Sequence, residues 1–111
     1  MELKVIKQDQ MTTHIALSGK LDVAGEQQIG DEFRGLIEDR QTSFLVDMGE
    51  VTYLASLGIR LLFAGARILA ERGNKMVVVN PQPMVEETLM SSGTVKLIPI
   101  ARSAEEAAGL L

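Results

Sequence analysis

One serine, Ser56, sits in the middle of the largely apolar run VTYLASLGIRLLF at residues 51–63, directly before a helical pattern. A serine there can do two things. It can cap the helix by accepting a hydrogen bond from a backbone N–H of the first turn. It can also be a target for chemistry performed by another protein. A nucleophilic role within the chain is not expected. The single histidine, His14, lies in an early strand, and neither a G-x-S-x-G elbow nor a phosphate-binding G-x-x-x-x-G-K-[ST] loop is present. The chain has no cysteine, which excludes disulfides, cysteine zinc sites and thiol catalysis. Asp47 as a phosphoacceptor of the receiver type needs an acidic pair after the first strand, and ELKVIKQ supplies none. The sequence therefore predicts no enzyme, no cofactor and no metal site.

The elements that must position Ser56 follow from hydrophobic periodicity. ELKVIKQ and THIALSG alternate apolar and polar residues, which predicts two strands joined through QDQ as an antiparallel hairpin, with Leu3 and Val5 on one face. Ile29, Phe33, Leu36 and Ile37 then recur at helical spacing, and Arg40 ends that helix. SFLVDM reads as a strand buried on both faces, ended by Asp47. The second helix runs from near Ser56 to about Arg72 and stops at Gly73-Asn74. KMVVVN is a further buried strand. Asn80, Pro81 and Pro83 open a short third helix that ends at SSG, and VKLIPI reads as the last strand. Ser103 and Glu106 have capping-box spacing before a small alanine-rich helix. The order is β-β-α-β-α-β-α-β-α, which is an α/β arrangement with a mixed, mostly parallel sheet of about five strands and four helices.

In such a sheet the loops leaving the C-terminal ends of parallel strands gather on one edge, where ligands and partners meet the protein. That edge should carry Asp22, Ser56 and Asn80, with Asp47 nearby. Plain alternatives stand beside each. Asp22 and Asn80 suit helix caps and turns, Asp47 suits a polar strand terminus, and His14 suits a half-exposed strand position. On a wheel of the second helix, Ile59, Leu62, Phe63, Ala66, Leu69 and Ala70 form the expected core arc. Arg60, Arg67 and Glu71 form a charged stripe. Leu61, Gly65 and Ile68 are left on a third arc, the expected docking ridge beside the serine, with Leu57 and Arg60 next to it.

Composition bounds the partners. The 111 residues carry 46% hydrophobic residues, only three Phe, one Tyr and no Trp, and a net charge of −4. This suits one compact domain, residues 1–111, whose core relies on aliphatic side chains. No basic cluster of the kind nucleic acid requires is present. No apolar run reaches the roughly 18 residues of a membrane span, and the start lacks a secretory h-region. The expectation is a cytoplasmic protein, a monomer or weak dimer, with no nucleic-acid or membrane partner.

Two segments carry a family resemblance. LSGKLD at residues 17–22 resembles the G-x-L-D element of the STAS domain, the family of anti-sigma-factor antagonists. VTYLASLGIRLL at 51–62 resembles that family's signature, hydrophobic-x-Asp-Ser-x-Gly-hydrophobic, with Ala55 where many members have aspartate. Element order and length agree over essentially the whole chain. The resemblance implies a STAS-like fold and a partner-switching role. An anti-sigma factor that is also a serine kinase would phosphorylate Ser56, a serine phosphatase would reverse this, and only the unmodified form would bind. Asp22 matches the aspartate near the acceptor, and Gly58 the glycine that lets the backbone pass closely; Asn80 is expected in the same environment. Stand-alone STAS domains also resemble regulatory subunits of an ATPase or lipid-transport complex, docked through the same helix edge.

Overall fold

The structure, a computed structural model, describes residues 1–111. Strands β1 (Glu2–Gln8) and β2 (Thr12–Leu21) lead into α1 (Val23–Asp39), β3 (Ser43–Leu54), α2 (Ser56–Glu71), β4 (Met76–Val79) and α3 (Pro83–Ser91). A 3₁₀ turn at Thr94–Lys96, β5 (Ile100–Ala101) and α4 (Ala104–Ala108) complete the chain. The five strands lie in the order β1-β2-β3-β4-β5, with β1 antiparallel to β2 and every other pair parallel. The predicted element order and mixed sheet are therefore present.

The sheet divides the apolar residues into two layers. On one face Ile15, Leu17, Phe44, Val46 and Met48 meet Ile29, Phe33 and Ile37 of α1, Leu62 and Leu69 of α2, and Val85 and Leu89 of α3. On the other face Leu45, Val77 and Val79 lie under Ala107 of α4. Residues 44–46 and 76–79 are thus buried on both faces, which is why they read as continuous apolar runs instead of alternating ones. Arg72, just past α2, donates to the carbonyls of Ile37, Arg40 and Thr42, so one guanidinium satisfies orphan acceptors where α1 ends. Arg102 forks onto both oxygens of Glu86 and holds that carboxyl below its ordinary range, tying the loop after β5 to α3.

Four sequence expectations change. First, β3 does not end at Asp47 but continues to Leu54. The polar stretch Gly49-Glu50 hides this continuation, yet β2 is ten residues long and keeps offering ladder partners as far as the Leu21–Leu54 pair. Second, VKLIPI is not a strand: Val95 and Lys96 end a 3₁₀ turn, Leu97, Ile98 and Pro99 connect, and only Ile100 enters the two-residue β5. Gly93 enters this turn at φ 80°, and the Thr94 hydroxyl donates to the Leu89 carbonyl, anchoring the turn to α3. Third, Val5 is exposed, because β1 is an edge strand whose register slips between Val5 and Lys7.

The fourth change concerns the phase of α2. Its buried residues are Gly58, Leu61, Leu62, Gly65, Ala66 and Leu69. Leu61, expected on a docking ridge, is 5% exposed, and Phe63, expected in the core, is 37% exposed. Gly65, also placed on that ridge, lies against α1. A Cβ there would sit 2.6 Å from Ile37 Cδ1 and 3.0 Å from Phe33 Cε2. Gly58 lies against β2, where a Cβ would sit 2.7 Å from the Leu21 carbonyl oxygen. The glycines mark where α2 approaches its neighbours most closely, so the core arc rotates toward them. Of the expected ridge only Ile68 keeps an exposed part, and it is half-buried and packed on the core.

This phase predicts the response to truncation. Leu61→Ala and Leu62→Ala should each cost about 2–5 kcal/mol, the range for a buried leucine. Phe63→Ala should cost under about 1 kcal/mol, as surface changes do. Chemical denaturation of the three variants checks this, and a Phe63→Ala loss matching that of Leu62→Ala would contradict the arrangement.

Candidate functional site

The corner that carries Ser56 is built by one backbone hydrogen bond. Ala55 N–H donates to the Leu21 carbonyl at 3.0 Å, joining the end of β2 to the start of α2. Asp22 and Ser56 each lie one residue beyond this bond, so the chain brings the two expected residues to the same corner. Gly58 permits the approach, since its missing side chain leaves room for Leu21.

Ser56 is the first residue of α2, and the N-cap is Ala55, in extended backbone at φ −104° and ψ 173°. No side chain caps this helix. The capping reading of Ser56 is therefore corrected: its position within the first turn points the cap role at Ala55, which has no hydroxyl. The first intrahelical bond runs from Ile59 N–H to the Ala55 carbonyl at 3.1 Å. The N–H groups of Ser56, Leu57 and Gly58 precede it and have no acceptor in the helix. Ser56 itself is exposed and Leu57 half-buried. The result is an accessible hydroxyl on an uncapped helix start, whose dipole favours negative charge.

Asp22 does cap its helix. Its side chain accepts from Gly25 N–H at 2.9 Å, and its carbonyl accepts from Glu26 N–H. It is half-buried, with a second carboxylate oxygen not used in the cap. Asn80 serves another corner. It adopts φ 53°, a left-handed conformation that asparagine tolerates better than most residues. Its N–H donates to the Ala101 carbonyl at 2.8 Å, and its side-chain amide lies against Gly49. Asp47 accepts from Gly49 N–H, and Gln82 donates to the Gly49 carbonyl. Asn80, Asp47 and Gln82 thus fix the bend of β3 and the exit of β4. These contacts give Asn80 a structural role at the exit of β4, beside the expectation that it frames Ser56. His14 lies half-buried on β2.

Sequence reasoning missed two apolar residues beside the Ser56 corner. Val23 follows Asp22 and is exposed; Tyr53 pairs with Lys20 near the end of β3 and is also exposed. Simple alternation does not reveal Tyr53, which is two residues from buried Val51; the register shift opposite Gly19 and Lys20 breaks the alternation and leaves it outward beside buried Leu54, on a strand that the sequence reading had ended too early. Arg60 is exposed one turn along α2 from Ser56. No cluster of three or more His, Asp or Glu side chains is placed to hold a metal ion, and no helix is long and apolar enough to cross a membrane.

Comparison with known proteins places these features in a family. Over 108 residues the chain is 28% identical to a protein named as an anti-sigma factor antagonist, BtrV of Bordetella bronchiseptica, covering 97% of this chain and 92% of that one. The unphosphorylated form of the anti-sigma factor antagonist SpoIIAA superposes with a TM-score of 0.80 at 21% identity, over 96% of this chain and 93% of that one. The phosphorylated form of the same Bacillus cell fate determinant gives 0.73 at 20% identity, over 97% of both chains. At these identities the solved structures establish the fold. The family model described as "Mlab, STAS domain" matches residues 5–99, the segment that holds the β2–α2 corner, and the chain belongs to that STAS domain family.

Proposed function

We propose that this chain is an anti-sigma-factor antagonist, docking on an anti-sigma factor through the Ser56 corner and released when that partner, acting as a serine kinase, phosphorylates Ser56. The observation that carries the reading is the exposed Ser56 hydroxyl at the uncapped start of α2, in the position of the family's acceptor serine. The names of BtrV and SpoIIAA support the partner class, and the two forms of SpoIIAA support reversible phosphorylation. A phosphatase is the expected reversing enzyme. The chain itself acts as substrate and ligand, with no catalysis of its own, and the expected compartment is the cytoplasm.

The physics of the switch is local. A phosphoserine at the first helical position faces unpaired N–H groups, so it need not disturb the fold. It adds about −1.5 to −2 charges to a surface that a partner must desolvate. Exposed Val23 and Tyr53 give that surface its apolar content. Burying an unpaired dianion among them costs several kcal/mol, enough to cancel a modest interface.

Ala55 favours a second reading. It puts a methyl group where the family signature has aspartate, so no carboxylate adjoins the acceptor on that side. A regulatory subunit of an ATPase or lipid-transport complex would dock through the same helix edge without needing phosphorylation. Purification of the native protein with its partners, followed by intact-mass measurement before and after phosphatase treatment, separates the two readings.

Two outcomes are expected. The cognate kinase with ATP should add one phosphate to the protein and none to Ser56→Ala; a phosphate mapped to Thr52 or Ser18 would refute the assignment. Asp22 should separate its two roles by substitution. Asp22→Ala removes the cap and should cost about 1 kcal/mol, whereas Asp22→Asn keeps a capping oxygen and should be nearly neutral. If Asp22 also acts on Ser56, both variants are phosphorylated more slowly. Normal phosphorylation of Asp22→Asn confines Asp22 to capping.

A further inference from the structure

The outward face of α2 continues away from Ser56 as a stripe: Arg60, Phe63, Ala64 and Arg67 recur at three- and four-residue spacing and are all exposed. Opposite it stands the turn after α3. Between the two walls lie two open compartments of about 720 and 660 Å³, continuous through Phe63, Arg67 and Gly93. The floor is apolar, from Ile59, Phe63 and Ile68. The rim carries Arg60 and Arg67 from α2, and Lys96 from the turn.

The rim charges differ from the paired cations of the chain; Lys7, Lys20, Arg40 and Lys75 also enter no ion pair, but none of these four lines this groove. Arg34 pairs with Glu26 and Asp31, Arg102 with Glu86, and Arg72 donates to three carbonyls. Arg60, Arg67 and Lys96 enter no ion pair, although the chain carries 15 acidic residues against 11 basic ones. Three unpaired cations around an apolar floor, on a protein of net negative charge, specify an acidic amphiphile. The spacing narrows this further. Arg60 and Arg67 are seven residues apart, about 10.5 Å along the axis at 1.5 Å per residue. A second helix laid along the groove presents its own residues i and i+7 at the same separation, with i+3 and i+4 between them facing the floor.

We propose that this groove binds an acidic amphipathic helix of the partner protein, with carboxylates two turns apart on Arg60 and Arg67 and apolar anchors between them on Phe63 and Ala64. The proposal rests on the reading of this chain as a protein-docking module and names the chemistry of what docks. Glu71, at the far end of the stripe and lining the same groove, sets the direction of charge: it repels a further carboxylate there.

The probe is a fluorescein-labelled amphipathic peptide of about four turns, with glutamates at i and i+7 and leucine or phenylalanine at i+3 and i+4. A control peptide carries glutamine in place of both glutamates. Fluorescence anisotropy should show saturable binding of the glutamate peptide that weakens with added salt. Binding should fall at least about tenfold, the usual loss when a paired interface charge is reversed, in the double variant Arg60→Glu/Arg67→Glu. It should fall in Phe63→Ala also, rise in Glu71→Lys, and stay unchanged in Lys4→Glu on remote β1. All these positions are exposed, and unfolding midpoints close to that of the parent protein verify folding. Equal binding of the glutamine peptide, equal binding by the charge-reversed protein, or no binding overturns the proposal. So does displacement of the peptide by phosphatidylglycerol vesicles, which would assign the groove to a lipid surface. Concentration-dependent self-association that Phe63→Ala abolishes would assign it to a second copy and overturn the proposal too. Ser56→Ala protein should bind the peptide as the parent does. Failure at the groove with normal phosphorylation of Ser56 removes this inference alone, and the reverse result removes only the switching reading.

Discussion

The site depends on the join between β2 and α2. The Ala55–Leu21 hydrogen bond ties the helix start to the strand end, and Gly58 lets the two backbones close up. Everything functional at that corner takes its place from this contact. Asp22 leaves it in one direction to start α1, and Ser56 leaves it in the other to start α2. A side chain at position 58 would meet the Leu21 carbonyl, an atom of backbone that cannot rotate away, so the helix would have to lift off the strand. The corner is rigid because its parts are main chain, not flexible side chains. That is the property needed to hold an acceptor hydroxyl at constant geometry for a partner.

The second close approach, at Gly65, fixes the rotation of α2 about its own axis. With Ile37 and Phe33 packed where a Cβ would be, the helix must turn Leu61 inward and Phe63 outward. The two glycines are one heptad apart, so both face the same side and act together. What they leave on the opposite side is a stripe of arginines around an aromatic ring. The core of this protein and its proposed docking face are thus one decision, made by two residues that have no side chain.

Much of this was legible in the sequence. Alternation and helical period gave the element order, and two short motifs gave the family. Three things were not legible, each for a physical reason. The length of β3 depends on β2 as a partner, a long-range fact that local polarity at Gly49-Glu50 obscured. The shortness of β5 depends on the turn that Gly93 and Thr94 anchor to α3. The phase of α2 was misjudged because a wheel weighted by hydrophobicity treats glycine as neutral. Glycine at a helix–helix contact is instead the strongest sign of burial, and weighting positions 58 and 65 as contacts recovers the observed arc. β3 also runs on past the end of β4, so the strand ends are not level along the sheet.

The two ends of α2 carry different electrostatics, and screening keeps them distinct. Ser56 and Arg60 are four residues apart, about 6 Å along the axis, and Arg67 is eleven residues away, about 16 Å. The Debye length at physiological salt is about 8 Å. A phosphate on Ser56 therefore acts on Arg60 and barely on Arg67. Its first contacts are the unpaired N–H groups of its own turn, and its nearest cation is Arg60 at the i+4 position, where a helix places an ion-pair partner. Phosphorylation of Ser56, as proposed, would have two local effects: it would charge the apolar corner of Val23 and Tyr53, and it would neutralise the near end of the arginine stripe. Arg67 and Lys96 remain available at the far end. The proposed switch needs no movement of the fold, because the same helix that is fixed by Gly58 and Gly65 carries both Ser56 and the cation that its phosphate would offset.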